Sequence, residues 1–259
     1  MDNVQLVELN EDNIQKKGLY CLRSMKKSDG YKQKENWMKE KFSQGLTYLL
    51  LQKDQKSVGF IEYAPAEESW RVIHADNYFV IHCLWIGHPG QGLGSSLIHQ
   101  CIEDAKKQNK HGVVVLTNCD TSWAPSSDIF IRNHFKLVEQ GPYSFDLYAY
   151  KFDDAPDPYF PNNWDERLRR FGDGLTIIRT NQCPYLEVAT KNVLEAAKSA
   201  GIQPDIIEMN DRNKMMEMAP TPYGVFNVVF NGELIAYHRL TPRSFAKKIK
   251  EEKTNVIAK

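Results

Sequence analysis

The chain reads as an α/β (α+β) protein: a mixed sheet flanked by helices, followed by a second, smaller α/β unit. Three observations predict this. Strand-length apolar or alternating runs recur between segments with helical periodicity. A glycine-rich turn, "PGQGLG" (residues 89–94), joins one of the most apolar runs to an amphipathic stretch. A proline-rich stretch, with Pro156, Pro158 and Pro161 followed by Gly172 and Gly174, splits the 259 residues unequally. Prolines this dense favour extended chain. The expected organisation is therefore a domain over 1–152, a linker over 153–174 and a second domain over 175–259.

The first unit opens with "VQLVEL", an alternating strand. Helical stretches are expected over residues 13–25 and 33–42. "LTYLLLQ" and "SVGFIEY" are strands separated by the polar turn "KDQK". "NYFVIHCLWI" is apolar on both alternating faces, as suits a strand in the middle of a sheet. After the glycines, Leu93, Leu97, Ile98, Cys101, Ile102 and Ala105 recur at helical spacing up to the region of Gly112. "VVVLT" is another buried strand, "SSDIFIRNHF" a short helix capped by Ser or Asp, and "YSFDLYAYKF" closing strand material. In the second unit "LTIIRT" is a strand, and "NQCPYLEVATKNVLEAAKSAG" is a helix stopped by Gly201. "DIIEM" is strand-like and "DRNKMMEMAP" a short helix. "YGVFNVVFNGELIAYHRL" is a hairpin turning at Asn231-Gly232. A last helix starts with Thr241 as N-cap and Pro242 at its first position.

Composition excludes several classes. Lys plus Arg (33) balances Asp plus Glu (33), so no global charge draws the chain to nucleic acid or an anionic membrane. Any anion site must be local. "MDNVQLVELNEDN" lacks the basic head and apolar core of a secretory signal, and the apolar runs are too short to span a bilayer. The five cysteines are scattered, without a CxxC pair. This argues against a disulfide framework or a metal site and for a reducing, cytoplasmic setting.

The glycine turn carries chemistry. A helix N-terminus leaves its first N–H groups unpaired and bears partial positive charge. Glycines ahead of it let the backbone curl around a phosphate with no β-carbon in the way. Gly90, Gly92 and Gly94 stand in a G-x-G-x-G spacing, followed by Ser95 and Ser96. A P-loop is excluded because no lysine follows. The dinucleotide fingerprint is excluded because the spacing is wrong and the turn follows the fourth strand rather than the first.

The element order, the strand "YFVIHCLWI", the loop "GQGLG", the helix "SSLIHQCIEDAKKQ", the strand "VVVLTN" and the ending "NHFKLVE" resemble the GNAT N-acetyltransferase superfamily. The resemblance implies an enzyme that moves an acetyl group from acetyl-CoA to a small-molecule or peptide amine. Backbone around Gly90, Gln91, Gly92, Leu93, Gly94 and Ser95 would hold the diphosphate of the cosubstrate. The central strand would splay from its neighbour to pair with the pantetheine arm, and Asn118 would contact the cofactor. Two departures stand out. Pro89 replaces the usual Arg or Gln before the first glycine, and Phe130 occupies the position of the family's tyrosine acid. A phenyl ring donates no proton.

A general base must remove a proton from the amine. Glu62, His74, Asp76 and His82 lie on or beside the acceptor-facing strands, and Glu62 and His82 are the candidates. His82 sits on the central strand with an imidazole that titrates near neutrality; Glu62 could face solvent or the acceptor cleft. Cys83 and Cys119 read as small buried hydrophobes.

The second unit's βαβα-ββα order resembles a thioredoxin-like fold. Cys183 is then a possible reactive thiol at a helix start, although "CPYL" lacks a second cysteine and Val225 replaces the proline expected before the third strand. The pairing of both units resembles bacterial GNAT proteins with a YoaP-like C-terminal domain. A second hypothesis remains: a non-catalytic CoA-binding or thioredoxin-like recognition protein.

Overall fold

The structure, a computed structural model, describes residues 4–257; positions 1–3, 258 and 259 of the two expected domains lie outside the described residues. The chain builds two sheets in sequence. The first arises from β1 (Val4–Glu8), the single turn α1 (Ile14–Lys17), α2 (Asp29–Phe42), β2 (Thr47–Lys53), β3 (Lys56–Pro65), β4 (Tyr78–Ile86), α3 (Leu93–Lys107), β5 (Gly112–Asn118), α4 (Ser127–Arg132), β6 (Lys136–Gln140) and β7 (Phe145–Lys151). Its seven strands run in the order β1-β2-β3-β4-β5-β7-β6, antiparallel except for the β4–β5 pair.

After α5 (Trp164–Arg169), a four-stranded sheet follows. It comprises β8 (Leu175–Arg179), α6 (Leu186–Ser199), β9 (Pro204–Glu208), α7 (Arg212–Met218), β10 (Phe226–Phe230), β11 (Glu233–Ala236) and α8 (Pro242–Ile257). Its order is β11-β10-β8-β9, with β8 and β9 parallel and the other pairs antiparallel. Asn231 and Gly232 both take positive φ (51° and 76°), as the expected tight hairpin requires. Among the described residues no helix is long and apolar enough to cross a membrane.

Several expectations need correction. The helix expected over residues 13–25 is one turn, because Gly18 leaves the helix at φ 76° and turns follow. The second helix starts at Asp29 rather than residue 33, since the Ser28 hydroxyl accepts from the Tyr31 N–H. β6, which the sequence reading passed over, pairs with β7 and makes a hairpin at the sheet edge. The proline-rich stretch is not simply extended chain. Tyr159 bridges to His74, α5 forms, and Phe160, Arg167 and Leu168 are buried. The Arg167 guanidinium donates to the carbonyls of Met216 and Ala219, so this segment is packed against the second sheet.

Strand alternation sends successive side chains to opposite faces. Phe79, Ile81, Val113 and Val115 pack against Leu97, Ile98 and Cys101 of α3. Tyr78, Val80, Val114 and Leu116 face the other way, into a core shared with Ile177, Val193 and Phe226 of the second unit. The second sheet and its helices thus complete one face of the first. Polar links tie the two. The Gly30 N–H donates to Glu187 Oε2 (2.6 Å), Arg212 donates to the carbonyls of Ala66 and Ser69, and the Val72 N–H donates to the carbonyl of Pro222.

Candidate active site

β4 and β5 pair only over Tyr78–Ile81 and Gly112–Val115. Beyond Ile81 the two parallel strands share no register, so the outer half of β4 offers unpaired backbone on that edge. The break coincides with an irregularity on the other edge: Glu62 lies opposite Cys83, but Tyr63 lies opposite Ile81. His82 is the extra residue. A bulge of this kind bends a strand and increases its twist.

At the end of β4 the chain enters the glycine loop. His88 to Gly92 are all exposed. Gly90 and Gly92 hold φ of 86° and 72°, a region that suits glycine, and a β-carbon at either would meet no protein atom within 4 Å. Gly92 is the N-cap of α3; no side chain caps the helix and no acidic residue occupies its first turn. Its leading N–H groups therefore face outward under the helix's partial positive charge. Gly94 serves a different purpose. A β-carbon there would lie 2.5 Å from Ile129 Cδ1, so the glycine lets α3 and α4 approach. Ser95 Oγ accepts from Asn133 Nδ2 (3.0 Å), and Ser96 Oγ donates to the Leu93 carbonyl. Gln91 and Leu93 complete the rim.

Asn118 ends β5 and is buried. Its amide nitrogen donates to the Tyr143 carbonyl (2.8 Å) and toward the Tyr237 hydroxyl (3.5 Å), and its Oδ1 accepts from the Asp120 N–H (2.8 Å). The side chain is thus committed to neighbouring loops and to the second unit. Phe130 is fully buried against Phe135, in keeping with its lack of an acidic proton.

Glu62 and His82 are brought together, on the face that the second unit covers. Glu62 is only 2 % exposed and His82 1 %. Lys34 Nζ reaches Glu62 Oε2 at 2.6 Å, while His82 Nδ1 (3.0 Å) and Gln182 Nε2 (2.7 Å) both reach Oε1. The Trp70 N–H donates to His82 Nε2 (3.1 Å), which assigns the ring proton to Nδ1 and makes Glu62 its acceptor. Arg71 donates to the carbonyls of Trp70 and His82, holding the bulge. Burial alone would raise the Glu62 carboxyl, but the Lys34 ammonium and the His82 bond outweigh it and hold the carboxyl down at about 2. Burial lowers the His82 imidazole to about 4 despite the Glu62 bond, with Arg71 adding to the fall. At neutral pH the pair is carboxylate and neutral imidazole, with Glu62 accepting from Lys34, His82 and Gln182 and His82 Nε2 accepting from the Trp70 N–H, all sealed from solvent. This geometry does not support the general-base expectation for either residue.

His74 and Asp76 are exposed before the start of β4, at the end of the strand remote from the loop. Cys119 is exposed rather than buried. Cys183 precedes α6 instead of opening it, and burial pushes its thiol up, opposite to the lowering expected from a helix start. Three partners escaped the sequence reading: Lys34, Arg71 and Gln182. Lys34 left a trace, because it shares a buried stripe of α2 with Tyr31 and Met38 at helical spacing. Gln182, 120 positions from Glu62, left none.

Several known proteins are similar to this chain. The acetyltransferase (GNAT) family matches residues 16–126, the segment from α1 to the loop before α4. The chain is 26% identical over 247 residues to the protein named uncharacterized N-acetyltransferase YoaP of Bacillus subtilis (strain 168), spanning 93% of this chain and 96% of that protein. Solved structures with similarity include the PaiA N-acetyltransferase of Thermoplasma acidophilum in complex with coenzyme A (14% identity, TM-score 0.43, 58% of this chain and 99% of that one). An acetyltransferase of the GNAT family from Staphylococcus aureus Mu50 is similar too (17% identity, TM-score 0.42, 58% of this chain and 100% of that one). The glycine loop and the divided β4–β5 pair both lie inside the segment that is similar to the acetyltransferase (GNAT) family.

Proposed function

We propose that the protein transfers the acetyl group of acetyl-CoA to an amine of a small molecule or peptide. The observation that carries this reading is the mouth of α3. Two left-handed glycines, an uncapped helix start and no first-turn carboxylate stand at the end of a strand whose outer half lacks a parallel partner. The residues fit the cosubstrate: Gly90, Gln91, Gly92, Leu93, Gly94 and Ser95 would hold its diphosphate, and the free edge of β4 its amide-bearing arm. When bound, the thioester supplies an activated acetyl carbon.

The chain's own contribution is positional. The outer half of β4 presents backbone N–H and C=O groups that orient the acyl donor, and orientation of this kind is a large part of catalysis. Glu62 and His82 act as positioning groups, since their bonds hold the bulge that turns β4 away from β5. Asn118 shapes the far rim through Tyr143 and Tyr237 rather than by donating to the cofactor.

We read the chain as a transferase domain (1–152), a packed connector (153–174) and a thioredoxin-like second domain (175–259) that covers the acceptor side. The order β11-β10-β8-β9 with a single parallel pair supports that last reading. Its Cys183, half-buried and with its thiol pushed up by desolvation, serves here as packing rather than as a thiol nucleophile. The five free cysteines suit a reducing, cytoplasmic setting.

The test combines calorimetric titration of acetyl-CoA with CoA release in the presence of amines, amino acids and aminoglycosides. Gly92→Ala places a methyl group where no protein atom competes, so its effect falls on the ligand. Affinity for acetyl-CoA is expected to fall about tenfold or more, which is about 1.4 kcal/mol. Unchanged affinity would sink the diphosphate assignment. Tight binding without turnover on any acceptor would favour the recognition protein instead.

A further inference from the structure

Two long stretches of the chain contain no carboxylate. Residues 13–28 hold Lys16, Lys17, Arg23, Lys26 and Lys27, and residues 77–102 contain the glycine loop. The fold brings both to the start of β3. Antiparallel pairing sets Gly59 beside Ile86 at the end of β4, and the Gly87 N–H donates to the Val58 carbonyl (2.8 Å). Here a cavity of about 480 Å³ opens, lined by Lys17, Arg23, Lys26, Lys56 and His88 over the buried side chains of Leu19 and Val58. No carboxylate lines it.

The cations are also unspent. Among the described residues Lys17, Lys26 and Lys56 form no ion pair. Arg23 is held in place without being neutralised. It donates to the Ser57 carbonyl (3.0 Å) and lies 4.9 Å from the centre of the Tyr20 ring, whose hydroxyl accepts from Trp85 Nε1 (3.0 Å). The cavity wall is thereby joined to the unpaired half of β4, and His88 stands two residues before Gly90. In a chain of zero net charge, four like charges around one cavity repel each other. A multivalent anion relieves that repulsion, and ammonium and guanidinium groups are suited to bind one.

The geometry points to a second anion subsite here, one that takes a phosphate group beside the glycine loop. It rests on the reading of that loop as a diphosphate cradle. The phosphate has two sources: the ribose 3′-phosphate of coenzyme A, or a phosphate carried by the acceptor.

Calorimetry with coenzyme A, 3′-dephospho-coenzyme A and inorganic phosphate separates them, using the wild-type chain and K26Q/K56Q, whose substituted side chains are exposed. With the cofactor as source, the wild type binds coenzyme A about tenfold more tightly than the dephospho form, and K26Q/K56Q binds both alike. With the acceptor as source, the two cofactors bind alike, and inorganic phosphate binds the coenzyme-loaded wild type but not K26Q/K56Q, weakening with added salt. The subsite is overturned if the cofactors bind alike in both proteins and phosphate binds neither. Should coenzyme A fail to bind the wild type at all, the loop reading falls. The subsite is then judged by phosphate binding to the free protein and its loss in K26Q/K56Q.

Discussion

The glycine loop and the Glu62–His82 junction meet the same strand, β4, and are built in opposite ways. The loop is exposed and is built from main chain. Its parts are φ values, an uncapped helix end and missing β-carbons. The junction is sealed and works through side chains. One carboxylate accepts from lysine, histidine and glutamine, and these come from α2, from β4 and from the turn after β8. The contrast separates a structure that rests on local conformation from one that rests on distant partners. A main-chain site depends on local conformation and is indifferent to most of its side chains. A buried charged cluster depends on every member at once, because each group left without its partner keeps the full cost of leaving water.

The largest expected effect breaks the junction. Lys34→Met strands a buried carboxylate and is expected to cost about 3–5 kcal/mol in urea or thermal unfolding. Lys34→Met/Glu62→Gln removes both charges and is expected to recover at least half of that loss. If the double variant is no better than the single, the pair is not coupled as described.

Acid comes next. Both groups have folded values below their ordinary ones, about 2 against 4.5 for Glu62 and about 4 against 6.5 for His82. The unfolded chain therefore binds protons first as pH falls. Stability is full above about pH 6.5, declines through 4 as His82 is forced to charge, and declines further toward 2 as Glu62 is neutralised. Equilibrium unfolding across pH 3–8 should slope downward toward acid, and His82→Asn should flatten the part above pH 4. A flat profile there in the wild type would remove the case for a neutral buried imidazole.

The smallest effect is at the loop. Gly92→Ala pays only for a left-handed alanine, about 1 kcal/mol of stability, while weakening acetyl-CoA binding as given above. A stability loss rivalling that of Lys34→Met would mean that the loop, too, is a packed element.

Much of the architecture was legible in the sequence because it is local. The alternation in "YFVIHCLWI", the apolar stripe of α3, the Asn231-Gly232 turn and the caps at Ser126 and Thr241 each lie within a few residues. The misreadings have local causes as well. Gly18 stops α1 after one turn, and the edge strand β6 is too short and polar to announce itself. Glu62 was visible as a charge within an apolar strand, but its facing direction was not. Phe60, Glu62 and Ala64 share a face, and the packing of α2 and of the second unit onto it makes that face an interior.

By itself the sequence determined most of the elements, the glycine conformations and the uncapped helix mouth, since dihedral preference and periodicity act between near neighbours. The tertiary structure alone decided that a lysine, a histidine and a glutamine from distant segments would close on one carboxylate, and that cations from two carboxylate-free stretches would ring one cavity. Charge pairing acts through space, and nothing in the order of residues records which distant groups will share a dry interior.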